Sequence, residues 1–198
     1  RRHTRLQGDW SSDVCSSDLL MMKYPNNLKI YSTLILMISF FTCYSQNQLT
    51  LENYKASMPN WEVNLDSVYV QSSETGKPIL ANFTGSDWCG WCIKLKNEVF
   101  SKPEFKEWAS ENVILLEIDF PRRFRLPETI AKQNRELQQS FGVRGYPTIW
   151  VFSIEKDKQS GQKSIKDLAQ TGYVAGGPKA WINDLELKLA QQIGRAHV

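Results

Sequence analysis

Between Gln46 and Ile193 the sequence has no histidine, and its cysteines are two, Cys89 and Cys92. His3, His197, Cys15 and Cys43 all lie outside that stretch. Without histidine there is no Ser-His-Asp or Cys-His hydrolase. Two cysteines cannot close a structural zinc site, which needs four nitrogen or sulfur ligands. Four-cysteine iron–sulfur clusters and histidine-ligated haem fail for the same reason. A glycine-rich phosphate loop of the P-loop or dinucleotide type is also missing. So is an excess of one charge: outside 46–193 fall Arg1, Arg2, Arg5, Lys23, Lys29, Arg195, Asp9, Asp13 and Asp18, which leaves 18 basic and 18 acidic residues inside it. A neutral domain gains little from counterion release, so no nucleic-acid partner is expected.

What is there is a globular composition, 41% apolar and 23% charged over 198 residues. That excludes a disordered or polytopic membrane chain. Residues 1–20 follow neither a helical nor a strand period and read as a non-native, adaptor-like extension. The tail 194–198 (GRAHV) reads the same way. Residues 21–45 have a signal-peptide pattern: basic Lys23 and Lys29, then the apolar run Ile30 to Phe41, then Cys43-Tyr44-Ser45. That run is short for a bilayer span and suits cleavage between Ser45 and Gln46. The expectation is a periplasmic or secreted protein. Cys43 as a lipid anchor is the rival reading. Residues 46–60 are polar and read as a loose N-terminal arm, and 61–193 as one domain.

Inside that domain, Leu65, Val68 and Tyr69 space out a short helix that Gly76 ends. Pro78 to Thr84 reads as a strand, Cys89 to Phe100 as a helix, and Pro103 starts another with Phe105 and Trp108 inward. Val113 to Phe120 (VILLEIDF) is a strand apolar enough for burial on both faces. Glu128 to Phe141 is helical up to Gly142. Pro147 to Ser153 and Leu168 to Val174 read as strands, and Pro178 to Gln192 as a helix with Trp181, Leu185 and Leu189 on one side. Alternation of the first two strands with helices predicts a parallel pair, and the short polar turn an antiparallel one. The fold class is therefore α/β, a central mixed β-sheet with helices on both faces. Trp61, Trp108, Trp150 and Trp181 read as core or rim packing.

The chemistry-bearing segment is Trp88-Cys89-Gly90-Trp91-Cys92 at a strand-to-helix junction. A thiolate is the nucleophile of disulfide exchange. A helix start carries unpaired N–H groups and partial positive charge, and both favour the thiolate of Cys89. Cys92 stands one turn on, placed to resolve a mixed disulfide. Gly90 keeps the turn open to an incoming chain, and Trp88 and Trp91 surround the sulfurs with apolar surface. A static disulfide is the bland alternative, but so small a ring removes little unfolded-state entropy.

A second segment, Gly145-Tyr146-Pro147-Thr148, introduces a strand. Together, Phe83 to Leu95 (FTGSDWCGWCIKL) and Phe141 to Phe152 (FGVRGYPTIWVF) resemble the active-site and proline segments of the thioredoxin superfamily. Glu98 to Pro103 is similar to the C-terminal thiol-reducing domain of the bacterial transmembrane disulfide reductase and to small secreted thioredoxin-like proteins. The resemblance implies a thioredoxin fold and a cis Pro147 facing Cys89, with the Tyr146 backbone pairing substrate as a short strand. It implies a thiol–disulfide oxidoreductase, slightly favoured as reductase or isomerase. No cofactor is implied beyond the redox-active Cys89–Cys92 pair. The partners would be protein thiols and disulfides and a dithiol electron donor or acceptor.

Departures from the family are also legible. Asn82 stands where a buried aspartate is usual, and Leu115 where a lysine is usual. Asp87 and Glu117 are weak substitutes for the proton acceptor of Cys92, and Asp87 reads better as a solvated turn residue. Arg122, Arg123 and Arg125 form a basic loop of the kind that docks acidic partners, although such runs are more often solvated faces. Two other activities share this fold. A non-catalytic peptide-binding or chaperone module would leave the cysteines idle. A thiol peroxidase would carry a separate peroxidatic cysteine pattern, which is missing here.

Overall fold

The computed structural model describes residues 49–156 and 161–195, with side chains described as far as Gln192. The adaptor-like, signal and Cys43 expectations, and the tail from 196, lie outside the described residues. Element order is α1 (Leu65–Thr75), β1 (Ile79–Thr84), α2 (Gly90–Leu95) running into a π-turn (Lys96–Phe100), α3 (Pro103–Asn112), β2 (Ile114–Asp119), α4 (Glu128–Ser140), β3 (Thr148–Lys156), β4 (Lys163–Thr171) and α5 (Gly177–Arg195). The four strands form one sheet in the order β2-β1-β3-β4. β1 runs parallel to β2, and β3 is antiparallel to both β1 and β4. This is the mixed sheet expected from the alternation of elements.

Local chemistry accounts for the boundaries. The Asn64 side chain caps α1 by accepting from Asp66 N and Ser67 N, and Gly76 ends it at φ 70°, its N–H bonded to Ser72 O. Glycine takes that left-handed conformation without a Cβ penalty. Pro103 opens α3, where its missing N–H costs nothing. β4 begins at Lys163, earlier than the expected Leu168. Its first five residues are exposed polar or edge positions without a hydrophobic signal, and they are strand because β3 offers them a ladder. The pairing slips at Val151/Phe152, where Leu168 bulges out of register.

Both faces of the sheet are covered. On one, Leu80, Ile149 and Val151 pack under Leu95, Val99 and Phe100, Phe105 of α3, and Trp181 and Leu185 of α5. On the other, Ile79, Ala81, Phe83, Leu116 and Ile118 pack with Val68 of α1 and Leu137 of α4. Phe105 and Trp181 are fully buried, and Trp181 donates its indole N–H to Gly172 O at 2.9 Å. Side chains of this size stabilise a fold by about 1.5–3 kcal/mol each when removed from water. Trp61 and Trp181 are core as expected; Trp108 is rim, donating to Glu186 Oε1.

Residues 49–60 are not a loose arm. Tyr54 and Met58 are buried, and Glu62 forms a parallel bridge with Leu116 at the open edge of β2. The polar composition of 46–60 hides two well-spaced anchors, and a sheet edge that needs hydrogen-bond partners draws the chain in.

Candidate active site

Cys89 ends the Gly85-to-Trp88 turn as the N-cap residue of α2, and Cys92 lies in the first turn. Their sulfurs are bonded, with Cα atoms 5.2 Å apart, and Cys89 Sγ accepts the Cys92 N–H at 3.2 Å. The Cys89 N–H is itself bonded to Gly85 O at 2.9 Å. Gly90 is exposed with open space where a Cβ would stand, so nothing crowds the turn.

The two tryptophans play different parts. Trp88 is half-buried and donates Nε1–H to Phe120 O at 2.8 Å. Its ring meets Tyr146 edge-on at 5.9 Å, and Tyr146 lies 5.3 Å from Phe120. The Tyr146–Pro147 bond is cis. The two segments singled out in the sequence, 57 residues apart at Cys89 and Tyr146, thus meet at Trp88. Trp91 is 58% exposed and lies 5.2 Å from Tyr173, with Lys94 Nζ about equally close to both rings. Tyr173 donates to Glu98 Oε2 at 2.6 Å. Sequence reading passed over Tyr173, because nothing local marks the residue after a glycine that follows an edge strand.

Gly85 is required by the packing of Trp88. A Cβ there would sit 2.5 Å from Trp88 Cε2 and Nε1. The indole cannot yield freely, being held by Phe120 O, Tyr146 and the Arg122 guanidinium 3.7 Å above its ring. Gly85→Ala should therefore destabilise the protein by about 1–3 kcal/mol, the usual cost of overpacking. Urea unfolding followed by tryptophan fluorescence would measure it, and an unchanged midpoint would show that the ring is not held.

Beneath the cysteines the sheet changes character. Leu80 and Leu115 face the aromatic core, but further along the same face come Asn82 and Thr84 of β1 and Glu117 and Asp119 of β2. All four are buried. Each carboxylate is gripped by one serine: Ser57 N and Oγ donate to Glu117 at 2.7 and 2.6 Å, and Ser86 N and Oγ to Asp119 at 2.8 and 2.6 Å. Burial pushes the Glu117 carboxyl above its ordinary range, although Ser57 opposes the shift. Burial likewise raises Asp119, against the pull of Ser86. Glu117 and Cys92 line one small cavity with Asn82, Lys96 and Ser57. Asn82 Oδ1 is buried there without a hydrogen-bond partner. Alternation in VILLEIDF places Glu117 and Asp119 on one face, a signal that overall apolarity masks.

Asp87 is a solvent-facing turn residue, as expected, but it also holds a loop. Its carboxylate accepts the backbone N–H groups of Arg122, at 3.0 Å to each oxygen, and of Arg123, at 2.6 Å. Desolvation opposes its ionisation, but the N–H groups of Arg123 and Arg122 outweigh that and hold the carboxyl below its ordinary range. It anchors a loop and does not point toward Cys92's cavity. Among the described residues, no group of three or more His, Cys, Asp or Glu side chains is arranged to hold a metal ion. No helix among them is long and apolar enough to cross a membrane.

A bonded Cys-X-X-Cys pair at a strand-to-helix junction of this sheet, against a cis-proline segment, defines a thioredoxin-fold thiol–disulfide oxidoreductase. The chain belongs to the thioredoxin-like domain family, whose family profile matches residues 65–172. It is 31% identical over 160 residues to the disulfide bond reductase DsbH of Chlamydia pneumoniae, covering 78% of this chain and 90% of that protein. A solved structure titled DsbH oxidoreductase superposes with a TM-score of 0.58 at 30% identity, over 70% of this chain and 93% of that one. The thiol:disulfide interchange protein DsbD of Haemophilus influenzae is 29% identical over 101 residues, half of this chain but 15% of that longer protein. Both similarities agree with the resemblance drawn from the motifs.

Proposed function

We propose that this protein works in the reducing direction, passing two electrons from the Cys89–Cys92 dithiol to disulfides of exported proteins. The bonded pair at the start of α2, with Cys89 Sγ accepting the Cys92 N–H, is the observation that carries this reading. In the reduced protein the Cys89 thiolate attacks a substrate disulfide. One substrate sulfur leaves as thiolate, and a mixed disulfide to Cys89 forms. Cys92 then gives its proton to Glu117, across the cavity they share, and attacks Cys89. The second substrate thiolate leaves, and the Cys89–Cys92 disulfide closes. The substrate has gained the two electrons that the pair has lost.

The surrounding residues hold the substrate chain. Gly90 leaves room at the turn, Trp88 and Trp91 supply apolar walls, and the Tyr146 backbone at Pro147 pairs with an extended segment. No bound cofactor enters; a dithiol protein regenerates the reduced pair. The signal-like segment 21–45 supports a periplasmic or secreted location, with Cys43 as the site of any lipid anchor. The similarity to DsbH, a disulfide bond reductase, supports the direction. An exported compartment is oxidising, so the donor must draw its electrons from elsewhere.

Titration of the purified protein against defined thiol/disulfide buffers tests this. The expected reduction potential is near the thioredoxin end, about −270 mV. A value near about −120 mV would reverse the direction and make the protein a disulfide donor. A pair that did not cycle would leave peptide binding as the activity.

A further inference from the structure

The five arginines between Gln46 and Ile193 are Arg122, Arg123, Arg125, Arg135 and Arg144, all within one stretch that passes the active site twice. Arg122 stacks on Trp88, next to the nucleophile. Arg144 lies two residues before Tyr146, whose ring touches Trp88. Beside the loop a groove of about 500 Å³ opens at Phe120, whose carbonyl binds Trp88; it is lined by Phe124, Leu126, Arg125, Arg135 and Glu128. Asp119 also lines it, but its oxygens are committed to Ser86. Phe124 is 39% exposed.

Arg122 sits on the Trp88 ring, and none of these guanidinium groups has an ion pair within the described residues. Every ion pair among the described residues uses lysine: Lys94, Lys132, Lys166 and Lys188. None uses arginine, and only Arg123 is drawn electrostatically toward Asp87. Nor is the loop a floppy solvated run, since Asp87 fixes its backbone at two N–H groups. Exposed guanidinium groups without an ion-pair partner suit carboxylates, which arginine binds through paired N–H donors. Glu128 is the one exposed carboxylate of the groove, against Arg125 and Arg135.

From this we infer that the disulfide-bearing partner of Cys89 is an acidic polypeptide: its segment next to the reacting cysteine carries Asp or Glu and runs over Trp88 into the Phe124–Arg125–Arg135 groove. The inference names the substrate class of the proposed exchange reaction and rests on that reading. Electrostatic steering of this kind raises association rates by about 10-fold or more and fades as salt shortens the Debye length from about 10 Å at 0.1 M to about 3 Å at 1 M.

The experiment compares three disulfide-bonded peptides with acidic, neutral and basic flanks as oxidants of the reduced protein. Rates are read from the tryptophan signal or by mass spectrometry. The acidic peptide is expected to react at least about tenfold faster than the basic one at low salt, with the ratio collapsing toward one at 1 M salt. Arg125→Glu with Arg135→Glu should reverse the preference between the acidic and basic peptides. Equal rates for acidic and basic peptides, with the neutral peptide reacting, would overturn the acidic-partner inference and leave the exchange reading standing. A double variant that kept the full acidic preference would overturn the groove assignment. Failure of all three peptides to react would instead overturn the exchange reading beneath it.

Discussion

Cys89→Ser should reduce disulfide exchange to the uncatalysed background, whereas Cys92→Ser should stall the reaction as a stable mixed disulfide with substrate. The two cysteines are nearly equally buried in the bonded state, so exposure alone does not rank them. Position does. Cys89 is the N-cap residue, and its sulfur accepts a backbone N–H, which favours a thiolate. Cys92 lines the interior cavity with Glu117 and Lys96, away from Gly90's open side. Incubation of each variant with an oxidised peptide, followed by non-reducing gels and mass spectrometry, separates the roles. Accumulation of the adduct on Cys89→Ser rather than on Cys92→Ser would invert the assignment.

Glu117→Gln should slow the resolving step by about 10²-fold, the lower end for loss of a positioned general base. The mixed disulfide should live correspondingly longer, while the first attack by Cys89 keeps its rate. A purely structural role for Glu117 predicts the opposite pattern, a loss of stability with both steps affected. Stability offers an independent check. The folded-state pKa of Glu117 is raised by burial, so the folded chain holds this proton more tightly than the unfolded chain. Its contribution is therefore fully present below the ordinary carboxylate range and is lost as pH rises through the raised value. Glutamine does not titrate, so Glu117→Gln should gain on the parent protein as pH rises through that window. Asp119 is shifted the same way and remains in the variant, so the slope is lessened rather than removed. Lys96, which favours the ionised Glu117, stays in place as well. Denaturant midpoints at pH 4 to 8 would measure this, and parallel curves would show that Glu117 does not ionise within the window.

The route to these residues differed from the route to the cysteines. Trp88-Cys89-Gly90-Trp91-Cys92 is contiguous and sits where an apolar strand ends, so its chemistry and its place at a helix start are both local properties. Gly76, Pro103 and the apolar run before Asp119 are likewise read from neighbours in sequence. Glu117 is different. Its significance depends on Ser57, 60 residues earlier, and on a register that sets Asn82 beside it and Cys92 above. Asp87 is legible as a solvated turn residue, but its hold on the loop is not, because its two N–H partners lie 35 and 36 residues away. Residues 49–60 carry no period at all, yet a buried carboxylate holds Ser57, and Tyr54 and Met58 are buried.

The amino-acid order was thus sufficient for the fold class, the parallel and antiparallel pairings and the bonded cysteine pair. Each follows from spacing along the chain: an alternation of strand and helix, a short polar turn, two cysteines one helical turn apart. It was not sufficient for the acid–base environment of Cys92 or for the seat of Arg122 on Trp88. Those follow from which side chains share a cavity or a rim, and such sharing is a long-range property. Burial raises a carboxyl only when the whole sheet and its covering helices exclude water from it. Arg122 reaches the Trp88 ring where the Asp87 carboxylate holds the backbone of a loop 35 residues further along.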